Sequence, residues 1–364
     1  MAKKPSSGAM VAPVAMAADG STAVVEGVPV PTFEWMGLSA EWGTRVTPGE
    51  HGLRLGDLNV GIYGEVPEQW DDQTRRPRGA LPRPGVPPLP YNLRSKHQMW
   101  ADCAADLYEE AIQRRWIPAT DVPWASLAPL PEDVERAVCQ VATELMQYAN
   151  TEIEIITYWQ DQMSYGYYEV KQFLATATFD CTRAIEALRK RALANGGGLG
   201  MECRGLVNRM ILESRGGWTE SVAYAYLLRG TYQVHVMRGL LNAAHNDAER
   251  FIYGKYLEDH ARHMTYGYDH LKYAVAHQQG AADILQTMLT LGEAMMAAEL
   301  AESSMRPALA IIFGGGIAGG RTVGMATYLH LVGDFVRDYL AACDWIGVAR
   351  AENLHPLLKK YLEY

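Results

Sequence analysis

Two stretches of this chain carry a helical apolar stripe that also contains chemistry. Val170, Phe173, Leu174, Ala177, Cys181, Ala184 and Leu188 fall on one helix face. Ile252, Tyr256, His260, His263, Gly267 and Leu271 fall on another. No proline interrupts either stretch, so each reads as one long helix whose stripe must be covered by other helices. That requirement places Cys181, Ala184, His260 and His263 in a core, where every polar atom needs a partner. Both stretches also contain Asp-x-x-Arg, as Asp180 with Arg183 and Asp259 with Arg262. They read as two halves of one buried site in an all-α chain.

The remaining sequence organises itself around these helices. Residues 1–30 are rich in Ala, Ser, Val, Gly and Pro, and Pro13, Asp19 and Gly20 break any apolar run of signal-peptide type, so a disordered tail is expected. Residues 31–94 carry Trp35, Trp42 and Trp70 among turn residues and close on a proline-rich run. Such spacing prevents helix and predicts an irregular arm wrapped over a surface on which the tryptophans pack. Helical patterning occupies 95–345, with helices expected at 95–116, 131–163, 170–193, 201–213, 218–244, 247–277, 283–303 and 322–346. A tail follows over 346–364, with a short helix at 355–362. Gly314-Gly315-Gly316 and Gly319-Gly320 read as a loop; they lack the Gly-Lys-Ser/Thr of a phosphate loop.

The helix–turn–helix unit is used twice, and reflection about each turn finds what faces the stripes. About Gly166, the position level with Cys181 falls at Thr151–Glu152. Glu152 and Glu154 are both candidates; Glu152 shares its face with Tyr148 and Trp159, which favours it as the inward acid. About His245–Asn246, the position level with His260 falls near Thr231.

At this point the segments Phe179-Asp180-Cys181-Thr182-Arg183-Ala184 and Asp259-His260-Ala261-Arg262-His263 resemble the two Asp-Glu-x-Arg-His segments of the ferritin-like diiron oxidases and oxygenases related to the ribonucleotide reductase small subunit. The resemblance covers about residues 95–345. It implies a ferritin-like four-helix bundle with extra helices, in which Asp180, Arg183, Asp259 and Arg262 orient ligands and tie helices together. The departures fall on the ligands. Cys181 stands where the family has Glu, Ala184 where it has His, and His260 where it has Glu; His263 matches. A family Glu precedes Gly-Thr on the third helix, and here the residue is Arg229, whose charge would repel a di-cation. A standard diiron centre is therefore not expected.

Two readings stay open. Two inward His with Glu152 opposite match the two-His-one-carboxylate set for a single Fe(II) or other divalent cation, with Cys181 able to add a thiolate. The chain is then a small-molecule oxidoreductase acting on an organic substrate, with a separate reductase, since no flavin, nicotinamide or iron–sulfur motif is present. Alternatively the residues are a decayed, metal-free core in a partner or scaffold subunit, because Cys and Ala are what a core accepts. Tyrosines are frequent, 20 against 6 Phe. Tyr148 and Tyr256, with Arg229 and Ala184, are expected to line a polar cavity, joined by His235 and Glu220. A homodimer or hetero-oligomer interface explains the tyrosines equally well.

Composition excludes other classes. The chain has 33 Lys and Arg against 42 Asp and Glu, a net charge of −9, and no basic run interleaved with aromatics, which argues against nucleic acid. Five widely spaced cysteines without Cys-x-x-Cys point to reduced thiols and a cytoplasmic location. No apolar window is long enough for a bilayer, so no membrane is expected.

Overall fold

A computed structural model describes residues 24–25, 27–31, 33–37, 42–195 and 197–364. The chain divides into two units, Met1–Arg45 and Val46–Tyr364. In the first, Val24–Val25 pairs antiparallel with Val28–Pro29. The tail expected over 1–30 otherwise lies outside the described residues, as does the side chain of Trp35. Trp42 is 91% exposed.

In the second unit Trp70 and Arg78 are buried. Trp70 packs its ring where a Cβ on Gly166 would come within 2.4 Å, so only glycine fits that turn. Arg78 is buried, pairs with Glu169 and donates to the Gly166 carbonyl at 2.8 Å. These contacts hold the segment against the turn between the first two long helices.

Helix α1 spans Ala104–Gln113, shorter than expected because residues 95–103 turn rather than coil. Helix α2 spans Glu132–Gln162 and opens with Glu132, Asp133 and Glu135, acids that the N-terminal dipole favours. Helix α3 spans Tyr168–Ala194, and α4 spans Leu206–Glu213. The next rod is composite: α5 at Trp218–Val222, a π-helical stretch at Ala223–Gly230, then α6 at Thr231–Asn242. Asn246 caps α7 (Asp247–His277), its side chain accepting from the Glu249 backbone N–H at 2.9 Å. Helix α8 spans Ala281–Glu302 and α9 spans Met305–Gly314.

The glycine cluster is not the loop that was expected. Only Gly315 and Gly316 turn the chain, with positive φ, while Gly319 ends the short α10 (Ile317–Gly319) and Gly320–Gly324 continues as a π turn into α11 (Met325–Ile346). Glycine there serves close approach: a Cβ on Gly324 would lie 1.9 Å from the Ala310 carbonyl. Helix α12 spans Pro356–Lys359.

The protein is thus a mostly helical bundle. Helices α2 and α3 form one antiparallel hairpin, the composite rod and α7 form another, and α3 packs on α7. Both apolar stripes face inward: Val170, Phe173, Leu174, Ala177, Ala184 and Leu188 are fully buried, as are His260 and Leu271. Among the described residues no single helix is long and apolar enough to cross a membrane.

Candidate functional site

Four helical elements aim side chains at one buried region. Glu152 comes from α2, and Glu154, the alternative acid, is exposed. Asp180, Cys181, Arg183 and Ala184 come from α3, and Asp259, His260, Arg262 and His263 from α7. The π stretch brings Tyr226, Arg229 and Gly230. Such stretches mark places where regular packing yields to a local requirement.

The two Asp-x-x-Arg segments interlock. Each arginine pairs with the aspartate of its own helix and also crosses over, Arg183 to Asp259 at 3.1 Å and Arg262 to Asp180 at 3.1 Å. Trp116 adds an indole N–H to Asp259 at 2.9 Å, and its carbonyl accepts from Arg183 at 3.3 Å. All four charges are nearly excluded from water, so removal of one would strand another.

His263 joins this clamp to Glu152. Its Nδ1 lies 2.7 Å from Glu152 Oε1, and its Nε2 lies 3.4 Å from Asp180 Oδ2. The Nδ1 contact is an ion-pair approach in which the N–H is not aimed at the oxygen, so both atoms keep hydrogen-bonding capacity. Burial works against a charged imidazole here, yet Glu152 and Asp180 outweigh it and hold the His263 pKa well above its ordinary value. Burial likewise raises the Glu152 carboxyl, but His263, His260 and Arg229 bring it down to about 2. Asp180, buried beside His263 and two guanidiniums, is also lowered.

His260 behaves differently. Its Nδ1 is 3.8 Å from Glu152 Oε2, and neither ring nitrogen has a hydrogen-bond partner. Burial pushes its pKa down to about 4, so the ring is neutral at pH 7. Burial and the nearby Glu152 push the Cys181 thiol up to about 12.

The donor atoms of Glu152, Cys181 and His263 lie within 4.8 Å of one another, so these three form a buried group that could hold a metal ion. His260, expected as a ligand, stands beside this group rather than in it: its ring is directed between Glu152 and the backbone at Gly230, where a Cβ would lie 3.3 Å from its Nε2. Two irons do not fit. Ala184 supplies no donor, and Arg229 stands fully buried on the facing rod.

Arg229 donates to Asn208 at 2.6 Å and lies over the Tyr148 ring at 5.2 Å, while its Nε and Nη2 have no partner. Other residues expected to line a polar cavity make contacts of their own. Tyr148 donates to Glu299 at 3.3 Å, and Tyr256 accepts from Gln233 at 2.8 Å. His235 pairs with Asp338 at 2.9 Å and borders a groove of about 600 Å³ with Arg238, and Glu220 borders other surface cavities. Tyr158 and Tyr165 are exposed. Tyr158 lies on the outer face of α2, and Tyr165 in the turn before α3.

Sequence reasoning missed Trp116 and Asn208, and did not single out Tyr226 from the other tyrosines of the inner helices. Tyr226 is fully buried, with an unpartnered hydroxyl, and packs where a Cβ on Gly267 would come within 2.7 Å of it. Gly267 in the α7 stripe was the one available signal, since a glycine on an inward helix face often marks close approach. Comparison with protein-family models, curated proteins and solved structures found no match.

Proposed function

We propose that this chain is a non-catalytic partner subunit, built on a frame similar to that of the ferritin-like diiron oxidases, in which a salt-bridged core replaces the metal centre. One observation carries this reading. Glu152, Asp180 and Asp259 face His263, Arg183 and Arg262, so three negative groups meet three positive ones without an added cation. Arg229 then occupies the rod at the level where the resemblance places a carboxylate. A chain that keeps the helix-tying residues but not the ligands retains what a fold needs for presenting surface to another subunit.

A second reading is a small-molecule oxidoreductase with one Fe or other divalent cation. It is favoured by the proximity of Glu152, Cys181 and His263, whose carboxylate, thiol and imidazole are the donor types such an ion takes. Cys181 would have to lose its proton on binding.

The two separate by metal analysis of chain purified without chelator, with melts of wild type and His263→Ala, each with and without excess Fe(II) or Zn(II). The partner reading expects substoichiometric metal and equal melts. It also expects native mass spectrometry of the complex from its source to show a second chain that carries the metal. One equivalent of metal, with a stabilisation that vanishes in His263→Ala, overturns it, because a ligand bound only to the folded state must stabilise that state.

A further inference from the structure

Helix α8 has a solvent face without charge. Of its residues between Asp283 and Glu302, the acids Glu293 and Glu299 are buried, and the exposed positions are Ile284, Thr287, Thr290, Leu291 and Ala301, with Met288 and Met295 half-buried beside them. Ile284 is 52% exposed and Leu291 54%. Ile284, Met288, Leu291 and Met295 repeat at helical spacing, making an apolar ridge roughly 17 Å long at 1.5 Å per residue. A helix exposed to water on one face normally carries its charges there, and a helix apolar all round is covered. Grooves flank the ridge: one of about 420 Å³ takes in Leu291 and Met295 beside α4, and one of about 300 Å³ takes in Ile284 and Met288.

The geometry points to this ridge as the docking surface for an amphipathic helix of a different chain, with an apolar stripe flanked by Lys and Arg. This rests on the partner-subunit reading and names the face through which it acts. Charge selects the occupant. Asp283 at one end of the ridge and Glu220 on the groove rim have no ion pair among the described residues, whereas Glu213 and Glu302 are balanced by Arg209 and Arg204. A second copy fits poorly. Helix α8 contains no Lys or Arg, so pairing it with a second copy brings no cation to these acids, in a chain whose net charge is −9. An anionic membrane is repelled by the same acids, since helices that lie on membranes flank their apolar face with Lys and Arg. A basic-flanked helix meets both the ridge and its rim.

The test uses the full chain and a fluorescent synthetic peptide of about five helical turns, with Leu at stripe positions and Lys at the flanks. Saturable anisotropy is expected. Binding should weaken about tenfold or more in Leu291→Glu and Ile284→Glu, and about tenfold when the peptide's Lys are replaced by Glu. Circular dichroism confirms that each variant is folded. No saturable binding, or equal binding of the Lys and Glu peptides, overturns the proposal. So does a fall in the native mass of the chain alone on Leu291→Glu, which assigns the ridge to a second copy. Leu291-dependent binding to phosphatidylserine vesicles overturns it in favour of a membrane. None of these readouts involves the metal, so this surface and the metal-free site fail separately.

Discussion

His263 Nδ1 stands 2.7 Å from Glu152 Oε1, which makes one imidazole the link between α2 and the paired charges of α3 and α7. A link of that kind stabilises only while both partners are present. His263→Ala should cost about 3–5 kcal/mol in urea denaturation, because it strands Glu152 and exposes Asp180 to unbalanced charge. His263→Gln should cost less, since its amide can still donate to one carboxylate. Equal losses in the two variants would show that packing, not pairing, holds this position.

The two histidines should respond to pH in opposite directions. The folded pKa of His263 lies above 6.5, so its contribution is complete below 6.5 and is lost as pH rises through the folded value. The folded pKa of His260 is about 4, so the unfolded chain takes up its proton first and stability falls between pH 6.5 and 4. Denaturation midpoints across this range should flatten on the acid side in His260→Asn and on the alkaline side in His263→Gln. Glu152, lowered from 4.5 to about 2, adds a further loss as pH falls through that window.

The crossed arginines should couple strongly. In a double-mutant cycle of Arg183→Met and Asp259→Asn, the interaction free energy should exceed about 1 kcal/mol, because the two sit in one buried network. Additive effects would mean that the crossing bonds contribute nothing beyond those within each helix.

Restoring only the α3 donors should not restore a two-iron site. Cys181→Glu with Ala184→His leaves Arg229 buried on the facing rod, so iron analysis of the double variant should stay below two equivalents per chain. Adding Arg229→Glu removes the positive charge and should raise iron uptake above that of the double variant. Two equivalents in the double variant would show that Arg229 does not face the site.

Gly267→Ala should destabilise by about 1–3 kcal/mol, since the added methyl lies 2.7 Å from Tyr226 and the π stretch must shift to receive it. A neutral thermal melt would show that Tyr226 yields without cost.

Much of the arrangement was legible because it follows from helical spacing. The stripes containing Cys181 and His263 are buried, Glu152 faces inward where Glu154 does not, and both hairpins turn where Gly166 and Asn246 stand. Spacing assigns a residue to a face, and a long apolar stripe has only one side to hide. That Asp180, Arg183, Asp259 and Arg262 tie helices together was implied by the resemblance and not by spacing.

Other features depended on separations that spacing does not encode. His260 and His263 share a face, yet only His263 groups its donor with Glu152 and Cys181, because the π stretch and Gly230 set where the His260 ring can go. Trp116 reaches Asp259 from a non-helical segment and Asn208 reaches Arg229 from α4, contacts between elements distant in the chain. Gly314–Gly316 and Gly319–Gly320 read as a loop because their conformational freedom is visible in sequence, whereas the close approach of Gly319 to the Gly314 carbonyl is not. The sequence by itself thus determined which residues are hidden and that they are helical. Only tertiary packing decided which hidden charges touch, since that depends on the distance between helices: His263 lies 2.7 Å from Glu152 and His260 3.8 Å, and the shorter approach favours the charged ring.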